Sequence, residues 1–128
     1  MKKEHDYASE IPRILATKEI KSLHGKDFLR IEDVNLPQSF MLFHLAERLK
    51  WMHQKGHIVP PLLYKKNIAL LFEKPSTRTR VSFDNGIALL GGHSVFIDKA
   101  NTHMGRGEDW RDTASTLAWY CDAIMARV

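Results

Sequence analysis

The sequence predicts an α/β fold, a parallel sheet with helices on both faces around a βαβαβ core, on three observations. Short apolar runs at 67–72, at 93–97 and from 123 onward have the length and composition of strands. The segments between them carry helical spacing and are long enough to cross from one strand to the next. The resulting order, strand, helix, strand, helix, strand, is that of right-handed crossover units, whose strands must run parallel.

Each element has its own reason. Residues 1–24 hold a weak helical pattern in Ile11, Ile14 and Leu15 and read as an N-terminal arm, with 25–128 as the core. A helix is predicted over 37–55: Pro37 suits a first turn, Leu42, Leu45, Leu49 and Met52 recur at helical spacing, and Gly56 stops the run. After Pro60 and Pro61, the stretch NIALLF is nearly all apolar, as expected of a strand covered on both faces. The next helix draws on Val81, Ile87, Ala88 and Leu90 and ends at Gly91-Gly92. Asn85-Gly86 alone would read as a turn, and a glycine inside that helix costs roughly 1 kcal/mol relative to alanine. A strand at 93–97 follows, then a polar loop over 98–107. Glu108, Asp109 and Asp112 suit the positive amino end of a helix over 108–120, and a third strand begins at 123–125.

Composition narrows the field. The chain has 128 residues, enough for one domain and too few for two complete ones, and its 44% hydrophobic and 27% charged residues are those of a chain that folds. A net charge of +4 fits nucleic acid, an anionic membrane or a small phosphorylated ligand. Long Lys/Arg runs are absent, and Trp51, Trp110 and Trp119 occupy packing positions on predicted helices, so no nucleic-acid partner is expected. Neither a signal peptide nor an apolar run of about 20 residues is visible, which predicts a cytoplasmic chain without membrane contact. The single cysteine, Cys121, excludes an internal disulfide and reads as core. His53 and His57 have the spacing of a helical zinc pair, but Gly56 lies between them and no cysteine or carboxylate completes a set, so no metal is expected.

The stretch FEKPSTRTRVSF carries the chemistry. It lies where the first strand ends and the next helix begins, the place at which open parallel sheets bind ligands. A helix amino end offers unpaired backbone N–H groups and partial positive charge. Ser76, Thr77 and Thr79 add hydroxyl donors, and Arg78 adds a planar fork that matches phosphate oxygens. The set reads as a phosphate cradle, different from a Walker loop or a dinucleotide fingerprint, whose glycines are missing. The plain alternative is a capped helix with solvated arginines.

FEKPSTRTRVSF is followed in order by LGGH at 90–93, GRGE at 105–108, DTA at 112–114 and DAIMAR at 122–127. Together these resemble the carbamoyl-phosphate domain of the aspartate and ornithine carbamoyltransferases, most closely the ornithine type, over about 23–128. The resemblance implies that Ser76, Thr77, Arg78 and Thr79 bind the phosphate of carbamoyl phosphate and that Arg80 supports the loop. It implies that Arg127 holds the phosphate and polarises the carbamoyl carbonyl, making Arg78 and Arg127 the catalytic pair. His103 stands where relatives place a glutamine, or serine and lysine, into a neighbouring subunit's site, and it brings a group that titrates near pH 6.5.

The implied reaction is attack of an amino-acid amine, ornithine in the closest type, on the carbamoyl carbon with phosphate leaving. Positioning and electrostatics carry such a reaction, and no cofactor is expected. An intact relative would be a homotrimer. The downstream HPxQ segment and the amino-acid-binding domain of relatives are not in this sequence, so the 128 residues are expected to form a partial carbamoyl-phosphate-binding domain that does not turn over alone. The alternative reading is a phosphate-binding or oligomerisation module without catalysis.

Overall fold

A computed structural model describes residues 7–98 and 110–128. The chain divides into two compact units, Met1–Val59 and Pro60–Val128.

The first unit is helical, with α1 (Tyr7–Leu15), α2 (Lys18–Lys21), a 3-10 turn (Ile31–Asp33) and α3 (Leu36–Gln54). Local chemistry sets the boundaries. Thr17 caps α2 by accepting from the Ile20 N–H. Asn35 and Gln38 form a reciprocal capping box at the start of α3, with Pro37 in its first turn. Gly56, at φ 72°, lies just past the end of that helix. Both α1 and α2 pack on α3, burying Ile11, Ile14, Gln38 and Met52. Arg48 Nε donates to Glu10 Oε2 at 2.7 Å, and its guanidinium lies 4.1 Å from the Tyr7 ring centroid.

One expectation about α3 needs correcting. Of the predicted seam Leu42, Leu45, Leu49 and Met52, only Met52 is fully buried, and Leu42 is 39% exposed. The helix is apolar on more than one side, with Phe40 and Phe43 also exposed, so α1 and α2 cover only part of it.

The second unit is the α/β core: β1 (Asn67–Phe72), α4 (Thr77–Leu89), β2 (His93–Asp98), α5 (Trp110–Tyr120) and β3 (Ala123–Arg127). The strands are parallel in the order β2-β1-β3. α4 packs on β1 and β2, and α5 packs on β3. β1 is central, and all five residues from 68 to 72 are buried. Ile68, Leu70 and Phe72 on one face pack with Ile87 of α4 and with the partly buried Leu63 and Met125.

Register aligns the strand ends. Phe72 of β1 pairs with Asp98 of β2 and with Arg127 of β3, forming the last row of the sheet. At the opposite end, Asp122 accepts from Lys66 Nζ at 2.7 Å and from the Asn67 N–H at 2.9 Å, which fixes the start of β3 beside β1. After α4 the chain turns at Gly91, φ 79°, where a Cβ would stand 2.9 Å from Pro61 Cβ. Glycine is the residue that meets both conditions.

Two sequence readings change. Trp119 is 88% exposed rather than packed, and Cys121 is only half-buried, because α5 and β3 lie at an edge of the described sheet. The loop read at 98–107, apart from Asp98, and helix positions 108–109 lie outside the described residues. No described helix is long and apolar enough to cross a membrane.

Candidate functional site at the amino end of α4

The site is built where β1 stops and α4 starts. Ser76 is the N-cap in extended conformation, with Thr77, Arg78 and Thr79 as the first three helical residues. Arg80 N–H is bonded back to the Ser76 carbonyl at 3.0 Å, so the amides of 77–79 precede the helix's own ladder. A serine at this position ordinarily turns its hydroxyl back onto one of those amides. Here Ser76 makes no side-chain cap bond and donates instead to Thr79 Oγ1 at 2.9 Å.

Thr79 is therefore a junction. Its oxygen accepts from Ser76 and, at 3.3 Å, from Nη1 of Arg127 at the end of β3. With both acceptor positions engaged, the Thr79 proton is left to donate outward. A second link ties Arg127 to the loop, because the Glu73 N–H donates to the Arg127 carbonyl at 2.9 Å. The uncapped amides, the Thr79 hydroxyl and the Arg127 guanidinium thus lie together at the amino end of α4, with Ser76 orienting Thr79. That is a donor set for an anion of several oxygens.

A cleft of about 460 Å³ opens beside this turn, lined by Pro75, Ser76, Thr77, Arg80, Phe96 and Asp98, among others. The Arg80 guanidinium lies 3.6 Å from the centroid of the Phe96 ring, which in turn lies 5.4 Å from that of Phe72. Asp84, one turn further along α4, accepts a hydrogen bond from Ser94 Oγ of β2.

The sequence-predicted residues fall as follows. Ser76, Thr79 and Arg127 are joined by hydrogen bonds, and Thr77 lines the cleft. Arg78 is exposed in the first turn and makes no hydrogen bond or ion pair among the described residues, so its fork is uncommitted. His103, with the GRGE stretch, lies outside the described residues. Sequence reasoning missed Phe96, Asp84 and Asp98. The alternation of Phe96 and Asp98 on β2 was visible, but which strand end and which turn of α4 they would meet depends on the register.

The sequence matches the model of a family described as aspartate/ornithine carbamoyltransferase, carbamoyl-P binding domain, over residues 26–128. The ornithine carbamoyltransferase of Anoxybacillus flavithermus is 48% identical over 105 residues, which are 82% of this chain and 33% of that relative. The fold is similar to that of the ornithine carbamoyltransferase from Pyrococcus furiosus, with TM-score 0.75 and 40% identity over 82% of this chain and 33% of the other. It is also similar to aspartate transcarbamoylase from Trypanosoma cruzi in complex with carbamoyl phosphate and aspartate, with TM-score 0.76 and 30% identity over 83% of this chain and 33% of the other. The chain spans about a third of the length of the relatives it matches.

Proposed function

This chain belongs to the aspartate/ornithine carbamoyltransferase family through its carbamoyl-phosphate-binding domain, and on that premise we propose that the amino end of α4 holds the phosphate of carbamoyl phosphate for transfer of the carbamoyl group to the amine of ornithine. The observation that carries this reading is the grouping of the uncapped helix amides, the Thr79 hydroxyl oriented by Ser76, and Arg127 at one helix end. Ornithine as acceptor rests on the relatives named ornithine carbamoyltransferase at 48% and 39% identity.

The chemistry asks for what this donor set offers. The amine lone pair forms a bond to the carbamoyl carbon, the carbonyl oxygen takes up negative charge, and the C–O bond to phosphate breaks with its electron pair leaving on phosphate. The amine proton is released in the same sequence. Backbone N–H groups and guanidinium fixed in advance lower the barrier because they need no reorganisation as charge develops. In this reading Arg78, exposed and without a hydrogen-bond or ion-pair partner among the described residues, closes over the phosphate as a two-pronged donor. Arg127, already held by Thr79, is the group beside the developing oxyanion.

A thermal-melt titration of the purified chain tests the binding half of the proposal. A ligand that binds only the folded state adds RT ln(1 + [L]/Kd), about 2.7 kcal/mol at a hundred times Kd. The melting temperature is expected to rise with carbamoyl phosphate, and less with inorganic phosphate, and the rise should disappear in Arg78→Ala. A melt insensitive to both anions would overturn the assignment.

A further inference from the structure

Thr79 and Arg80 are neighbours in the first turn of α4, yet they tie that turn to opposite edges of the sheet. Thr79 accepts from Arg127 of β3, and Arg80 lies face-on over Phe96 of β2, 3.6 Å from the ring centroid. Phe96 is backed by Phe72 of β1 at 5.4 Å, so Arg80 rests on an aromatic pair that bridges two strands. β1 itself reaches α4 through the loop 73–76. The first turn is thus attached to all three strands, and the Phe96 ring is one of the three attachments. A guanidinium stacked this way keeps its charge but has one planar face committed to the ring.

From this geometry we infer that Arg80 is a positioning residue for the phosphate cradle, acting through its stack on Phe96, and that the aromatic side chain at position 96 therefore sets anion affinity from outside the donor set. The inference rests on the reading of α4 as the phosphate site. Removal of the ring should let the first turn shift relative to Arg127 and weaken binding about two- to fivefold, the scale of one exposed cation–π contact.

The test measures phosphate and carbamoyl-phosphate affinity calorimetrically on the full chain, with side-chain NMR of Arg80. Phe96→Tyr should keep both the affinity and the upfield ring-current shift of the Arg80 protons. Phe96→Leu should lose both, and Arg80→Lys should weaken binding comparably despite retaining the charge. In Arg80→Ala/Phe96→Leu the loss should be no greater than in either single variant. Two results overturn the role: Phe96→Leu with unchanged affinity, or Arg80→Ala far weaker than Phe96→Leu with Arg80→Lys restoring it, which would put Arg80 in direct contact with the anion. Measuring each variant well below its melting point separates lost affinity from lost fold. No binding by the unaltered chain would instead overturn the site reading itself, and the positioning role with it.

Discussion

Arg127 and Thr79, 48 residues apart in sequence, meet across 3.3 Å between Nη1 and Oγ1 and so join the end of β3 to the first turn of α4. This contact groups the candidate anion donors at one helix end. Thr79→Val keeps the side-chain shape and deletes the shared oxygen. Phosphate affinity measured by calorimetry is expected to fall about tenfold. The unfolding free energy should change by less than about 1 kcal/mol, because Arg127 is exposed and its bond is solvent-screened. Affinity within twofold of the unaltered chain would remove this junction from the site.

The bracket at the far end of the sheet predicts a pH dependence. Hydrogen bonding from Lys66 Nζ, then from the Asn67 N–H, holds the Asp122 carboxyl below its ordinary value, which is about 3.9. The folded state therefore favours the ionised form. Its stabilisation is fully present above pH 4 and is lost as pH falls through the depressed folded value. Asp122→Asn should be less stable at neutral pH and lose less stability than the unaltered chain between pH 5 and pH 3, as read by urea titration. Parallel curves for the two proteins would contradict the bracket.

Packing predicts a gradient across the sheet. Leu70, in the central strand, is 1% exposed, whereas Val95 on β2 is 38% exposed. Leu70→Ala is expected to cost about 2–5 kcal/mol, the range for a large core truncation. Val95→Ala should cost less than about 1 kcal/mol. Equilibrium denaturation of both variants measures the contrast, and equal losses would mean that β1 is not the core of this unit.

Two glycines should respond in opposite directions to the same substitution. Gly86 is inside α4 and a Cβ there meets nothing within 4 Å, so Gly86→Ala is expected to stabilise the chain by about 0.5–1 kcal/mol. Gly91 has φ 79° and faces Pro61 at 2.9 Å, so Gly91→Ala should destabilise it by more than about 1 kcal/mol. Thermal melts of the pair provide the check.

Much of the second unit was legible in the sequence because its signals are local. NIALLF marked β1 to the residue, since an apolar run bounded by polar residues is a property of six neighbours. The turn at Gly91-Gly92 was equally readable from backbone freedom, whereas the missing cap bond of Ser76 was not. Local periodicity was a poorer guide to depth. It assigned Leu42 and Trp119 to packed faces, but exposure depends on what lies opposite a helix, and a side chain's own period does not reveal that.

The sequence by itself determined the main strands and helices, their parallel run and the candidate anion donors at the amino end of α4. Composition and hydrophobic period are encoded within a few consecutive residues. Only the tertiary structure decided that β1 is central, with β2 and β3 on either side. From that strand order follow the last row Phe72, Asp98 and Arg127, the bond from Arg127 to Thr79, and the stack of Arg80 on Phe96. Such pairings join residues far apart in the chain, and their register is fixed by packing of whole faces against one another rather than by any local preference.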